Sequence, residues 1–117
     1  MNRDLFLQQD PADIVVVLEI LARGKMYGYE LSEAVEQRSA GVLTLGRGTL
    51  YPLLYNLEAK GLVTAEWAES ENKRKRRYYS ITGKGKGQLA RQKEQWINLQ
   101  QSVGMVFGLI GPGAATA

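Results

Sequence analysis

The chain of 117 residues contains neither cysteine nor histidine. Without cysteine it can form neither a disulfide bond nor a thiolate metal site. Without histidine it lacks the most common general base, the most common metal ligand and the side chain that titrates near neutral pH. Neither a G-x-S-x-G motif nor a pair of acids spaced for catalysis takes their place. These absences argue against an enzyme, and we expect no catalytic residue, no metal and no cofactor.

Long apolar runs are also lacking. The most apolar stretch, residues 103–115, is shorter than the roughly 20 residues that span a bilayer, and Pro112 interrupts it. Residues 1–10 are polar and lack the apolar region of a signal peptide. We therefore expect a cytoplasmic protein with no membrane partner.

Positive charge is concentrated in one run. The net charge is only +3, yet five cations are consecutive, so the rest of the chain is net negative. Adjacent cations repel one another unless an anion neutralises them, and the run therefore indicates contact with a polyanion. The alternative is a solvated hairpin whose basic residues have no partner. The run consists of Lys73, Arg74, Lys75, Arg76 and Arg77.

Helix signals occur at four places in the chain. Asp10 can cap the first helix, and Pro11 suits its first turn. Thr82 is a good cap for the last helix. We expect Pro52 in the first turn of the third helix and Gly61 as its left-handed cap. A connection at residues 26–29 precedes the second helix. The predicted helices span about residues 10–24, 30–38, 48–61 and 83–107.

A β-hairpin is predicted between the third and last helices. Residues 62–67 and 77–81 are rich in β-branched and aromatic side chains, and the polar segment 70–76 forms the tip. Trp67 is expected in the strand core. The order helix, helix, helix, hairpin, helix predicts a mainly α chain with a small β-hairpin (α+β), a winged helix-turn-helix followed by a long coiled-coil-like helix. The expected domains are 1–82 for DNA binding, 83–110 for dimerisation and 111–117 as a flexible tail.

The third predicted helix has two different faces. Four leucines lie within about 100° of arc on one side, at positions 50, 53, 54 and 57. The opposite side is aromatic, amide and small, which is unusual for a face that only meets water. In a winged helix-turn-helix this helix enters the major groove of double-stranded DNA. That face carries Tyr51, Pro52, Tyr55 and Asn56.

These residues suggest how DNA sequence is recognised. Tyr51 and Tyr55 can contact thymine methyl groups or donate a hydroxyl to phosphate, and Asn56 can bond to a base edge. The alternative for both tyrosines is partial packing in the core, and Pro52 offers only shape. Arg47 and Thr49 precede the helix and are expected to contact phosphate, since helix N-termini attract anions. The predicted hairpin would form the wing of this fold. Its five cations are also expected to contact phosphates, and such contacts set affinity and register but not sequence preference.

The last predicted helix carries a heptad-like apolar seam. Such a narrow seam on a helix after a small core favours a second copy of the chain as its partner, so we expect a homodimer. Gly83, Gly85 and Gly87 weaken the first turns of this helix. The dimerisation residues are predicted to be Leu89, Trp96, Leu99, Val103 and Val106.

Four motifs together resemble the PadR family of bacterial transcription regulators. They are GYEL at 28–31, GTLYPLL at 48–54, LEAKGLV at 57–63 and RRYYSIT at 76–82. The resemblance implies a winged helix-turn-helix homodimer, usually a repressor that binds inverted repeats and senses small molecules. The single C-terminal helix is similar to that of the compact subgroup, although Gly83 and Gly87 depart from its usual helix formers.

The resemblance also suggests a small aromatic effector at Trp96, because paired aromatic residues line a cavity between subunits in some compact relatives. Plain dimer core is the alternative for this tryptophan. Two other functions compete with DNA binding. A winged-helix protein-interaction module would not need five adjacent cations, and RNA binding is disfavoured because the RNA major groove is deep and narrow.

Overall fold

The computed structural model describes residues 11–111. Within this range the chain has the predicted order of a winged helix-turn-helix and a long last helix. The predicted cap Asp10 and residues 112–117 of the predicted tail lie outside the described residues. The elements are α1 (Pro11–Ala22), β1 (Met26–Tyr27), α2 (Gly28–Arg38), α3 (Arg47–Ala59), β2 (Val63–Glu69), β3 (Lys75–Ile81) and α4 (Gly83–Phe107).

The sheet has one strand more than the predicted hairpin. Its order is β1-β3-β2, and both pairings are antiparallel. The prediction of a connection at 26–29 was wrong, because Met26 and Tyr27 pair with Tyr79 and Tyr78 of β3. A strand of two residues is too short to show a sequence period, and it forms only because β3 offers it an open edge.

The hydrophobic core lies between the three N-terminal helices and the base of the sheet. All four leucines of α3 are buried, as their spacing predicts. They pack with Leu18 of α1, Leu31 of α2 and Tyr79 of β3. Burying a leucine side chain contributes about 1.5–3 kcal/mol, so this face of α3 fixes the helix to the rest of the molecule.

The two ends of α3 differ in how well the sequence predicts them. Gly61 has a φ of 75°, and the Leu62 N–H donates to the Leu57 carbonyl at 2.9 Å. This is a Schellman cap, which confirms the predicted helix end. The prediction of Pro52 in the first turn was wrong, since α3 begins at Arg47 and Pro52 lies inside the helix. Pro52 has no N–H for the carbonyl of Gly48, which is exposed and can bond to water instead.

The start of α4 is held tightly against the end of α3. The Thr82 hydroxyl donates to the Gly61 carbonyl at 2.7 Å and accepts from the Gly85 N–H at 3.0 Å, which confirms Thr82 as the cap. A Cβ on Gly85 would collide with the Leu62 carbonyl and lie 2.7 Å from Ile81 Cγ1. Gly85 therefore permits a close contact between backbones.

The middle of α4 packs on α1, and the rest of α4 extends away. Leu89 is buried in the core of its own chain, which corrects its place in the predicted dimer seam. The Lys93 ammonium donates to the Glu19 carboxylate at 2.8 Å, and this hydrogen bond lowers the pKa of Glu19. Beyond Lys93, the apolar side chains of α4 are largely exposed. Between residues 11 and 111, the helices are too short or too polar to cross a bilayer.

The contact at Gly85 predicts opposite effects for two glycine substitutions. Gly85→Ala should destabilise the protein by about 1–3 kcal/mol, because its Cβ overlaps a backbone oxygen that cannot move aside. Gly87→Ala is the matched control, since its Cβ would meet only Arg91 Nη1, at 3.7 Å. The control should gain up to about 1 kcal/mol of helix propensity. Thermal unfolding at one fixed protein concentration measures both, and equal shifts would contradict this explanation.

Candidate nucleic-acid interface

The face of α3 opposite the buried leucines is open to solvent. Arg47, Thr49, Pro52 and Tyr55 are exposed, and Asn56 is half-buried. The leucine face is fixed in the core, so the helix cannot rotate to hide these side chains. Five of the six α3 residues predicted to bind DNA therefore lie at least partly on the surface of one rigid helix.

Tyr51 is the sixth, and it packs inward between two helices. It is half-buried against the core, and a Cβ on Gly28 would collide with its hydroxyl. Its ring centroid is 6.2 Å from that of Tyr55. Tyr51 thus spaces the start of α2 from α3, as the packing alternative proposed, and it supports the exposed Tyr55.

The five wing cations divide into two groups. Lys73, Arg74 and Lys75 are exposed, and none of the ion pairs formed within residues 11–111 involves them. The Arg77 guanidinium donates to the Glu58 carboxylate of α3 at 2.8 Å. The Arg76 guanidinium lies 4.9 Å from the centre of the Tyr27 ring, a distance typical of a cation–π contact. Three cations are therefore available to an external anion, and two have partners within the chain.

The turn of the wing holds two of the free cations away from the sheet. The Ser70 N–H donates to the Arg74 carbonyl at 2.8 Å, and the Lys73 N–H donates to the Ser70 carbonyl at 2.9 Å. Lys73 has a φ of 60°, a conformation uncommon for residues other than glycine. Lys75, which was predicted in the tip, instead begins β3.

Trp67 is not in the strand core, and that prediction was wrong. Its side chain is 69% exposed. Trp67 pairs with Arg77, two positions beyond the pair formed by Ala65 and the buried Tyr79. The wing therefore continues past the end of the core. The alternation of side chains in the sequence of β2 does not show where the core ends, so it could not predict that Trp67 is exposed.

A groove of about 360 Å³ lies between α3 and the wing. Its walls combine aromatic rings and cations, and no carboxylate is among the residues that line it in the described structure. Tyr29 and Trp67 were not predicted as site residues. Their only sequence signal was the abundance of aromatic residues around the predicted motifs. The aromatic lining consists of Tyr27, Tyr29, Tyr51, Tyr55, Trp67 and Tyr79, and the basic lining of Arg47, Lys75, Arg76 and Arg77.

Two phenols of this groove, those of Tyr29 and Tyr79, have raised pKa values. The neighbouring Glu33 carboxylate raises the pKa of Tyr29. Burial raises the pKa of Tyr79, although the Arg77 charge opposes it. Both shifts favour the uncharged phenol. The charged side chains that line the groove are all cations, so the groove favours anions.

The residues predicted for dimerisation lie on α4, apart from this groove. Trp96, Leu99, Val103 and Val106 are all exposed, and their spacing places them along one side of the helix. A second groove, of about 380 Å³, lies where α1, the end of α2 and Lys93 meet. Its apolar lining includes Val15, Val16, Ile20, Val35 and Leu43.

Comparisons with known proteins show similarity in both sequence and fold. A sequence profile described as the transcriptional regulator PadR-like family matches residues 17–91. The chain is 35% identical over 89 residues to the transcriptional regulator YqjI of Escherichia coli (strain K12). That alignment covers 76% of this chain and 41% of YqjI, so the chain spans less than half of that relative.

Solved structures match the fold over most of its length. A PadR-like transcriptional regulator from Bacillus cereus (strain ATCC 14579) is 30% identical, with a TM-score of 0.71 over 80% of this chain and 89% of that chain. A PadR family transcriptional regulator from Eggerthella lenta (DSM 2243) is 32% identical, with a TM-score of 0.67 over 86% and 80%. These matches confirm the predicted winged-helix fold.

Proposed function

The chain belongs to the transcriptional regulator PadR-like family, and from this membership we propose that it is a repressor that binds an inverted repeat in double-stranded DNA as a homodimer. Members of the family regulate transcription through DNA and are not enzymes. We further propose that it acts in the cytoplasm and releases DNA when a small aromatic effector binds.

One observation carries the proposal: Arg47 and Tyr55 of the exposed α3 face and Lys75 of the wing line one basic groove. A helix in the major groove can contact base edges through Tyr55 and Asn56. Arg47 at the helix start, together with the wing cations, can neutralise the flanking phosphates. Glu58 and Arg77 connect α3 directly to the wing, so both parts would meet DNA as one unit.

The free cations predict how strongly salt weakens binding. Four cations per subunit (Arg47, Lys73, Arg74 and Lys75) would neutralise about eight phosphates in a dimer. The logarithm of affinity should then fall with the logarithm of salt concentration at a slope of about −7. Fluorescence anisotropy with the duplex upstream of the protein's own gene measures this slope. Binding no tighter than to random duplex at low salt would contradict the proposal of an autoregulator.

Substitution of one wing cation should change this slope by a defined amount. Arg74→Ala removes two phosphate contacts from a dimer, so the slope should become less steep by about 2. Arg91→Ala removes the same charge from α4, away from the groove, and should leave the slope unchanged. Equal slopes for the two variants would exclude the wing from the interface.

The proposed homodimer rests on the exposed face of α4. Beyond Lys93 most apolar side chains of this helix are exposed within the described chain, whereas an amphipathic helix is stabilised by burying its apolar face. We propose that residues 83–110 form the dimerisation segment and residues 1–82 the DNA-binding domain. The apolar groove between α1 and α2 adjoins the point where α4 leaves the core. A second copy of α4 can therefore cover this groove together with the exposed face of α4.

A charge on the α4 stripe should dissociate the dimer. Leu99→Glu would bury two carboxylates in the interface, which is strongly unfavourable. Asn98→Glu places the same charge on the neighbouring exposed position, outside the stripe, and should remain dimeric. Analytical ultracentrifugation at micromolar concentration separates the two outcomes. A monomeric wild-type protein, or a dimeric L99E variant, would contradict this interface.

Trp96 is the proposed effector contact. It is 45% exposed on the same stripe, so in a two-fold dimer it can approach its own copy and stack on a flat compound. Phenolic acids and planar cationic dyes should quench its emission and weaken binding to the duplex. Trp96→Ala should abolish both effects while Trp67 still emits. Quenching that persists unchanged in W96A would place the ligand elsewhere.

A further inference from the structure

We propose that the groove between α3 and the wing receives the sugar–phosphate backbone of one DNA strand, and that Trp67 supplies the apolar side of this contact. This inference rests on the proposed function. It adds Trp67 and an apolar contact with the DNA backbone. The proposed roles of the α3 face and of the wing cations do not include such a contact.

Trp67 lies on the part of the wing that extends past the core, and no packing within the described chain covers it. A buried side chain of this size would contribute about 3 kcal/mol, yet 69% of it remains exposed. Tyr55 and Tyr29, which line the same groove, are 53% and 62% exposed. Large apolar surfaces that folding leaves open commonly mark binding sites.

The orientation of Trp67 follows from the alternation along β2. Val63 is buried and Ala65 half-buried on the face that packs against the core, whereas Thr64 and Glu66 are exposed on the other face. Trp67 continues the core face beyond the end of the core. Its cross-strand partner Arg77 is held by Glu58, so the indole has a fixed support.

The chemistry of the groove fits a DNA strand. A deoxyribose has an apolar edge that packs on an aromatic ring, and its flanking phosphates are anions. Here Trp67 provides the ring, and Arg47 and Lys75 provide the charges. The groove is also continuous with the α3 face proposed to enter the major groove, which favours DNA over any other occupant.

An apolar contact predicts a loss of affinity that salt does not change. Trp67→Ala should weaken binding to the upstream duplex about tenfold at every salt concentration, with the slope unaltered. Trp67→Phe keeps a ring and should lose less. Thr64→Ala, on the opposite face of the same strand, is the matched control and should bind like the wild type. Circular dichroism and thermal unfolding establish that each variant is folded.

Fluorescence provides a second test. The emission of Trp67 is the difference between the wild-type and W67F proteins, and it should shift to shorter wavelength or be quenched when the duplex is added. This result together with the salt-independent loss in W67A would support the proposal.

The outcomes distinguish this inference from the proposed function. If W67A and T64A bind the duplex equally well, the inference is overturned while the proposed function stands. An emission of Trp67 that is already that of a buried indole without DNA would show that protein covers it, and would also overturn the inference. If the wild type itself shows no preference for the upstream duplex, the autoregulator proposal and this inference fail together.

Discussion

The burial of one face of α3 determines most of what this protein can do. Four leucines fix the helix in the core, so most residues on its other side face outward, with Tyr51 as the exception. The Arg77–Glu58 pair then joins the wing to the same helix. The candidate interface therefore depends on core packing, the pairing of β2 with β3 and one ion pair. Contacts within the chain also support its side chains, as between Tyr51 and Tyr55 and between Arg76 and the Tyr27 ring.

Much of this arrangement could be predicted because it depends on local signals. The leucine spacing of α3, the left-handed Gly61 and the Thr82 cap each depend on a few adjacent residues. The hairpin follows from a change of period, and the run of cations is visible in the sequence itself. Together these signals predicted the order of the helices and the hairpin, the outward face of α3 and the basic run.

The remaining features depend on contacts that no local pattern contains. β1 forms only because the edge of β3 is free, and Leu89 is core because α4 begins so close to Leu62. The wing extends past the core, which leaves Trp67 outside although it occupies a core-facing position. The division of the wing cations follows from Glu58 and Tyr27, which are distant in sequence.

Hydroxyl-radical footprinting of the DNA upstream of the gene tests the central claim most directly, because it maps backbone contacts along both strands. A two-fold symmetric dimer should protect two equivalent segments on one side of the duplex. Their centres should be separated by about one helical turn, roughly 10 base pairs, or a multiple of it. Uniform cleavage at concentrations where the protein is folded and dimeric would contradict binding of an inverted repeat at this site.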